Sequence, residues 1–224
     1  MPTNHAPSDL RVLWDRFRKN FWLKTIGITA FITLFFVAYF RILNFPVFTV
    51  TVMPLTEIDR LVPFTPIALI LYVSLWIYVP IAPVMIPVKR DLYALGWEAC
   101  GVAVLGLGIF FFWPTTIPPI EIDWTRHPGF EFLKTVDASG NACPSLHVAF
   151  AVFTALRIHE TLLGIQARTR LHVINWLWCA GIVYSTLAIK QHVAVDAFAG
   201  AALGVIGGKL HWTRWLKKNP GDNS

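Results

Sequence analysis

Six apolar runs, each approaching the length needed to cross a bilayer, constrain this chain more than any other feature. A spanning helix needs about 17–25 predominantly apolar residues. The runs lie at about Phe21–Leu43, Pro66–Val88, Leu92–Trp113, Ser145–Glu160, His172–Ile189 and Val193–Leu210. Hydrophobic residues make up 55% of the chain and charged residues only 14%. One globule cannot hide that much apolar surface, so lipid is expected to solvate it. The expected fold class is an all-α integral membrane protein, a six-transmembrane-helix bundle.

The first run follows a basic segment and lacks the short core and small-residue cleavage site of a signal peptide. It is therefore expected to be a retained helix. Between the first two runs, prolines exclude a further span, and Thr56 followed by Asp59 matches a capping box. That pattern predicts a short interfacial helix over Thr56–Val62. A long polar loop, about Pro114–Pro144, separates the third and fourth runs. The expected organisation is a basic tail over 1–20, the membrane domain over 21–211 and a second basic tail over 212–224.

The formal net charge of +6 sits in clusters that flank the apolar runs. Arg11, Arg16, Arg18, Lys19 and Lys24, then Lys89 and Arg90, then Arg157, Arg168 and Arg170, and finally Lys209, Arg214, Lys217 and Lys218 share one side of a six-span topology. Cytoplasmic loops carry such an excess, so both termini are expected in the cytoplasm of a plasma (inner) membrane. No basic-aromatic module calls for nucleic acid. Cys100, Cys143 and Cys179 form no CxxC pair, so neither a zinc site nor a disulfide framework is signalled. Gly200, Gly204 and Gly208 recur every four residues on the last helix, a face for close packing within the bundle or, less readily, for a homodimer.

Ionisable residues at membrane depth are functional candidates. Asp196 follows His192 by four residues, which places both on one helix face. A carboxylate beside an imidazole fixes its tautomer and frees the other nitrogen to act. In NACPSLHVAF, Pro144 and Ser145 mark a helix start and His147 lies in its first turn. Helix N-termini suit phosphate. The topology brings His147, Lys190, His192 and Asp196 to one depth on the outer side, a set suited to phosphoryl transfer.

These residues carry a resemblance. PSLH at 144–147 and STLAIKQHVAVD at 185–196 resemble the second and third signatures, P-S-G-H and S-R-x5-H-x3-D, of the type 2 phosphatidic acid phosphatase superfamily. Leu146 stands in place of the glycine and Thr186 in place of the arginine, and the first signature is not intact. The runs look most like the branch containing inositol phosphorylceramide synthase and sphingomyelin synthase.

The resemblance implies a lipid phosphatase or phospholipid headgroup phosphotransferase with a phosphohistidine intermediate. It implies His192 as nucleophile, Asp196 as its orienting partner and His147 as acid then base. Ser145 and nearby N–H groups would cradle the phosphate; the family's clamping arginines are not matched here, and Lys190, Arg126 and Arg60 are the candidates to supply positive charge in their place. It implies no metal or other cofactor, and a phospholipid or lipid-phosphate substrate. Because the apolar tail of such a substrate must stay in the bilayer, a lateral gap is expected between the third, fourth and sixth spans. A proton-coupled transporter using His192 and Asp196 is the alternative. It requires polar residues through the depth of the bundle.

Overall fold

The structure is a computed structural model. It describes residues 9–119, 122, 130 and 141–210. Arg126 and His127 in the long loop, and the tail from 211 onward, lie outside the described residues.

Among the described residues the fold is all-helical but for one small bridge. Helix α1 spans Asp9–Arg18 and α2 spans Phe21–Asn44. After α2 come β1 (Thr51–Val52), α3 (Glu57–Leu61), a single 3₁₀ turn at Pro66–Ala68, α4 (Leu69–Val73) and α5 (Leu75–Met85). Helix α6 covers Lys89–Phe112, β2 covers Thr115–Thr116, and α7 covers Leu146–Gly164. Helix α8 covers Thr169–Ala188 and α9 covers Ala194–Leu210. Among the described residues, five helical segments are long and apolar enough to cross a membrane: α2, Pro66–Met85, α6, α7 and α8. Helix α9 is apolar and 17 residues long.

Each expected run forms helix, with ends shifted by a few residues. The fourth reaches Gly164 rather than Glu160. The second is broken near Ser74 and carries Pro80 and Pro83 within α5. Two elements had no counterpart in the sequence reading. One is α1, which lies in the stretch read as a tail and donates from Arg16 Nη1 to the Met85 carbonyl at 3.2 Å. The other is a parallel pairing of Thr51 with Thr115 and Val52 with Thr116.

Helix α2 is inside out by the standard of a water-soluble protein. Its buried side chain is Lys24, whereas Trp22, Ile26, Leu34 and Val37 are exposed. The Lys24 ammonium donates to the carbonyls of Arg16 and Val84, each at 2.7 Å. Exposed apolar rows of this kind need an apolar solvent, which marks a multi-pass membrane protein.

Helix α7 is the hub. It buries Val148, Ala149, Phe150, Ala151, Phe153 and Ala155 and packs most extensively on α9. The glycine stripe of α9 makes that approach possible. A Cβ at Gly200 would lie 2.3 Å from the Ser145 carbonyl oxygen, and one at Gly204 would lie 2.4 Å from that of Ala149. The stripe therefore packs within the chain. Away from the signature residues, buried polar side chains pair across the bundle. Arg157 pairs with Glu98 at 2.6 Å and Glu160 at 2.7 Å and donates to the Gly208 carbonyl. Tyr78 donates to Asn175, which donates in turn to the Ala155 carbonyl.

Candidate active site

The two sequence signatures meet at the junction of α7, α8 and α9. Helix α8 ends in a turn with Lys190 in the left-handed region, at φ 58°. The Thr186 carbonyl accepts from both Gln191 N–H and His192 N–H at 3.1 Å. That closure is the physical content of the five-residue spacing between Thr186 and His192, because the turn sets His192 just ahead of α9. The Thr186 hydroxyl turns back onto its own helix and donates to the Val183 carbonyl at 2.8 Å.

Asp196 is fully buried in the first turn of α9. Its Oδ2 accepts from Val193 N–H at 3.0 Å and stands 3.7 Å from His192 Nδ1. That separation is within ion-pair reach and beyond hydrogen-bond distance. Such contacts in unliganded sites often tighten only in complexes. His192 Nδ1 and Asp196 Oδ1 are both buried without a protein hydrogen-bond partner.

Ser145 caps α7, its hydroxyl accepting from Val148 N–H at 3.2 Å. Its own N–H donates to the Asp196 carbonyl at 3.0 Å, which joins the starts of α7 and α9 directly. His147 stacks on Tyr72 with ring centroids 3.9 Å apart and planes 10° apart. Its Nε2 lies 3.0 Å from the Tyr72 carbonyl. A carbonyl only accepts, so Nε2 carries the proton in the neutral ring.

His147 and His192 line one cavity of about 140 Å³, together with Asn141, Tyr72 and Leu146. A second, apolar cavity of about 560 Å³ lies between α2, α5, α6 and α7. Phe31, Ile32, Phe35, Val79, Pro80 and Phe150 line both, so the two are contiguous. The lateral gap expected between the third, fourth and sixth spans has no counterpart beside α9, which the glycine stripe packs against α7; the larger cavity lies between α2, α5, α6 and α7 instead.

Of the expected cationic residues, neither Lys190 nor Arg60 lines the cavity of the histidines. Lys190 Nζ donates to the carbonyls of Asp59, at 2.8 Å, and Val62. Burial pulls its ammonium below the ordinary lysine range, and the nearby Asp59 opposes that shift. Arg60 is exposed and pairs with Glu57 at 2.6 Å. Arg126 lies outside the described residues.

Sequence reasoning missed Asp59 and Asn141 as parts of this region. Asp59 is buried and does more than cap α3. Its Oδ2 accepts from Thr56 N–H at 2.7 Å, while Oδ1 accepts from Ala194 N–H at 2.7 Å and so caps α9. The capping-box pattern found the first contact, but no local signal announces a partner 135 residues away. Asn141 adopts φ 58° and is held by its neighbours. Ala142 N–H donates to the Thr115 carbonyl at 3.2 Å, and Cys143 N–H donates to the Thr115 hydroxyl at 2.8 Å.

The fold and site define a helical membrane protein with two imidazoles and a carboxylate gathered at one end of its bundle. The chain belongs to the PAP2 superfamily, whose family model matches residues 91–220. Membership fits a membrane phosphatase or phosphotransferase. No curated protein and no solved structure supplies a match.

Proposed function

We propose that this protein is an integral-membrane lipid phosphatase or phosphotransferase whose reaction runs through His192, His147 and Asp196. The observation that carries this reading is the shared cavity. His147 and His192 line one small pocket that adjoins an apolar one, so a phosphate and a hydrocarbon chain find neighbouring places.

In this mechanism His192 presents Nδ1 to Asp196 and attacks phosphorus through Nε2. The bond from phosphorus to the leaving oxygen breaks as the N–P bond forms. His147, protonated, gives its proton to that oxygen. Since Nε2 is committed to the Tyr72 carbonyl, Nδ1 is the nitrogen that transfers the proton. His147 then takes a proton from the acceptor, whose oxygen attacks phosphohistidine and frees His192. Water as acceptor gives a phosphatase, and an alcohol gives a transferase. The PSLH and KQH runs resemble the inositol phosphorylceramide and sphingomyelin synthase branch, so the alcohol acceptor belongs in the proposal.

Ser145 contributes through the α7 N-terminus, where first-turn amides and the helix dipole favour an anion. Lys190, Arg60 and Arg126 would act at longer range, by raising the potential at the mouth of the site. Helix α9 is proposed as the sixth span and α3 as the interfacial helix. Both termini are then cytoplasmic and the site lies on the extracytoplasmic side. The transporter reading is weaker, because the cavities beside His147 are lined mainly by aliphatic and aromatic side chains, with Lys24 the one charged group among their described residues.

The test is an assay of purified protein on a panel of labelled lipid phosphates and phosphodiester lipids, with and without alcohol acceptors. Turnover that disappears in His192→Ala supports the proposal. A folded wild-type protein inert on every lipid would refute it.

A further inference from the structure

We infer that Asn141 is a catalytic residue whose side-chain amide holds a phosphate oxygen in the transition state. The inference rests on the proposed phosphoryl chemistry and adds a side-chain donor to the α7 amides. Phosphoryl transfer needs donors aimed at the equatorial oxygens. Among the described residues that line the small cavity, none is a lysine or an arginine. Arg60 is committed to Glu57, and the Thr186 hydroxyl to the Val183 carbonyl.

Asn141 lines the same cavity as His147 and His192 and is only 4% exposed. Its Nδ2 is buried and has no protein hydrogen-bond partner among the described residues. A buried amide donor left unpaired is costly and rare, so its persistence calls for an explanation. Backbone conformation alone does not supply one. At φ 58° asparagine is tolerated, but glycine is more at ease and would bury no unpaired donor. The Thr115 contacts to Ala142 and Cys143 fix the adjoining backbone, so the amide is presented by an anchored segment. The amide N–H₂ is neutral, so it orients an oxygen without forming a tight ion pair that would slow release.

Asn141→Gly separates this role from a structural one, because glycine suits the backbone and removes the orphaned donor. In full-length protein, the variant should lose about 10²–10³-fold in kcat, the typical effect of deleting one oxyanion donor. Inhibition by vanadate, which mimics the five-coordinate phosphorus, should weaken with it. The thermal transition should not fall. Asn141→Asp keeps the shape but sets a carboxylate against the phosphate, and should be no more active than the glycine variant.

Wild-type kcat and vanadate inhibition in a folded Asn141→Gly would overturn the inference. So would a loss that appears only together with a lowered thermal transition, since that is the mark of a structural residue. If wild-type protein neither turns over a lipid phosphate nor binds vanadate, the phosphoryl-transfer reading fails and this inference with it. An active wild type beside an unaffected Asn141→Gly removes the inference alone.

Discussion

The N–H of Ser145 donates to the carbonyl of Asp196 at 3.0 Å, so the two signature segments are joined backbone to backbone. Gly200 lies one turn further along α9, where a Cβ would come within 2.3 Å of the Ser145 carbonyl oxygen. Gly200→Leu should therefore force α9 away from α7 and abolish activity even though no candidate catalytic group is altered. Backbone on the receiving side cannot yield as a flexible side chain can. Wild-type turnover and thermal transition in that variant would contradict the packing described here.

Asp59 caps α9 from a distant segment, and its removal leaves the buried Ala194 N–H without a partner. Losing one member of a buried hydrogen bond costs about 1–3 kcal/mol. Asp59→Ala should lower the thermal transition and reduce kcat together, because the turn bearing His192 loses its anchor. Asp59→Asn, which keeps an acceptor oxygen, should fall between the variant and wild type. An Asp59→Ala protein of unchanged stability would show that the cap contributes nothing.

Cys143 adjoins the site but is not expected to react. Burial, and then the neighbouring Asp196 carboxylate, push its thiol up to about 11. Only the thiolate is an effective nucleophile, so below that pH the group stays protonated. A soluble maleimide at pH 7.5 should leave Cys143 unmodified in folded protein and label it once detergent denatures the chain. Mass mapping after a timed pulse reads this directly, and rapid labelling of the folded state would count against the buried, carboxylate-facing placement.

The apolar cavity offers a test of how the hydrocarbon chain is held. Gly27 and Gly96 line it, and a Cβ at either meets nothing within 4 Å. Gly96→Phe should fill the space without disturbing the backbone. Long-chain lipid phosphates should then be turned over poorly, chiefly through a raised KM, while short-chain analogues keep wild-type rates. Equal effects on both chain lengths would mean that the chain lies elsewhere.

Much of this arrangement was legible in the sequence, for identifiable reasons. Apolar run length is a direct record of the hydrocarbon thickness, so the helical segments fell close to their expected places. His192 and Asp196 belong to one short stretch, and their spacing in the chain is also their spacing in space. Asn141 and the inner face of α2 were not legible, because their meaning depends on contacts between distant segments. Lys190 shows the limit most clearly. Its position beside His192 in sequence suggested a phosphate ligand, but the left-handed turn at that residue accompanies a side chain bonded to the Asp59 and Val62 carbonyls. The helix α1 contact is not legible in the basic segment either, because the Arg16 bond to the Met85 carbonyl joins residues far apart in the chain.

The central claim is that phosphorus becomes bonded to His192, and trapping the intermediate tests it most directly. Wild-type protein would be mixed briefly with a ³²P-labelled lipid phosphate, quenched in alkaline detergent and digested for peptide mapping. The account predicts a base-stable, acid-labile label on the peptide containing His192. It should be absent from His192→Ala and retained in His147→Ala, whose turnover should fall by about 10²–10⁴-fold, as for loss of a general acid or base. A label that maps to His147, or one that survives in His192→Ala, would contradict the assignment of the two roles.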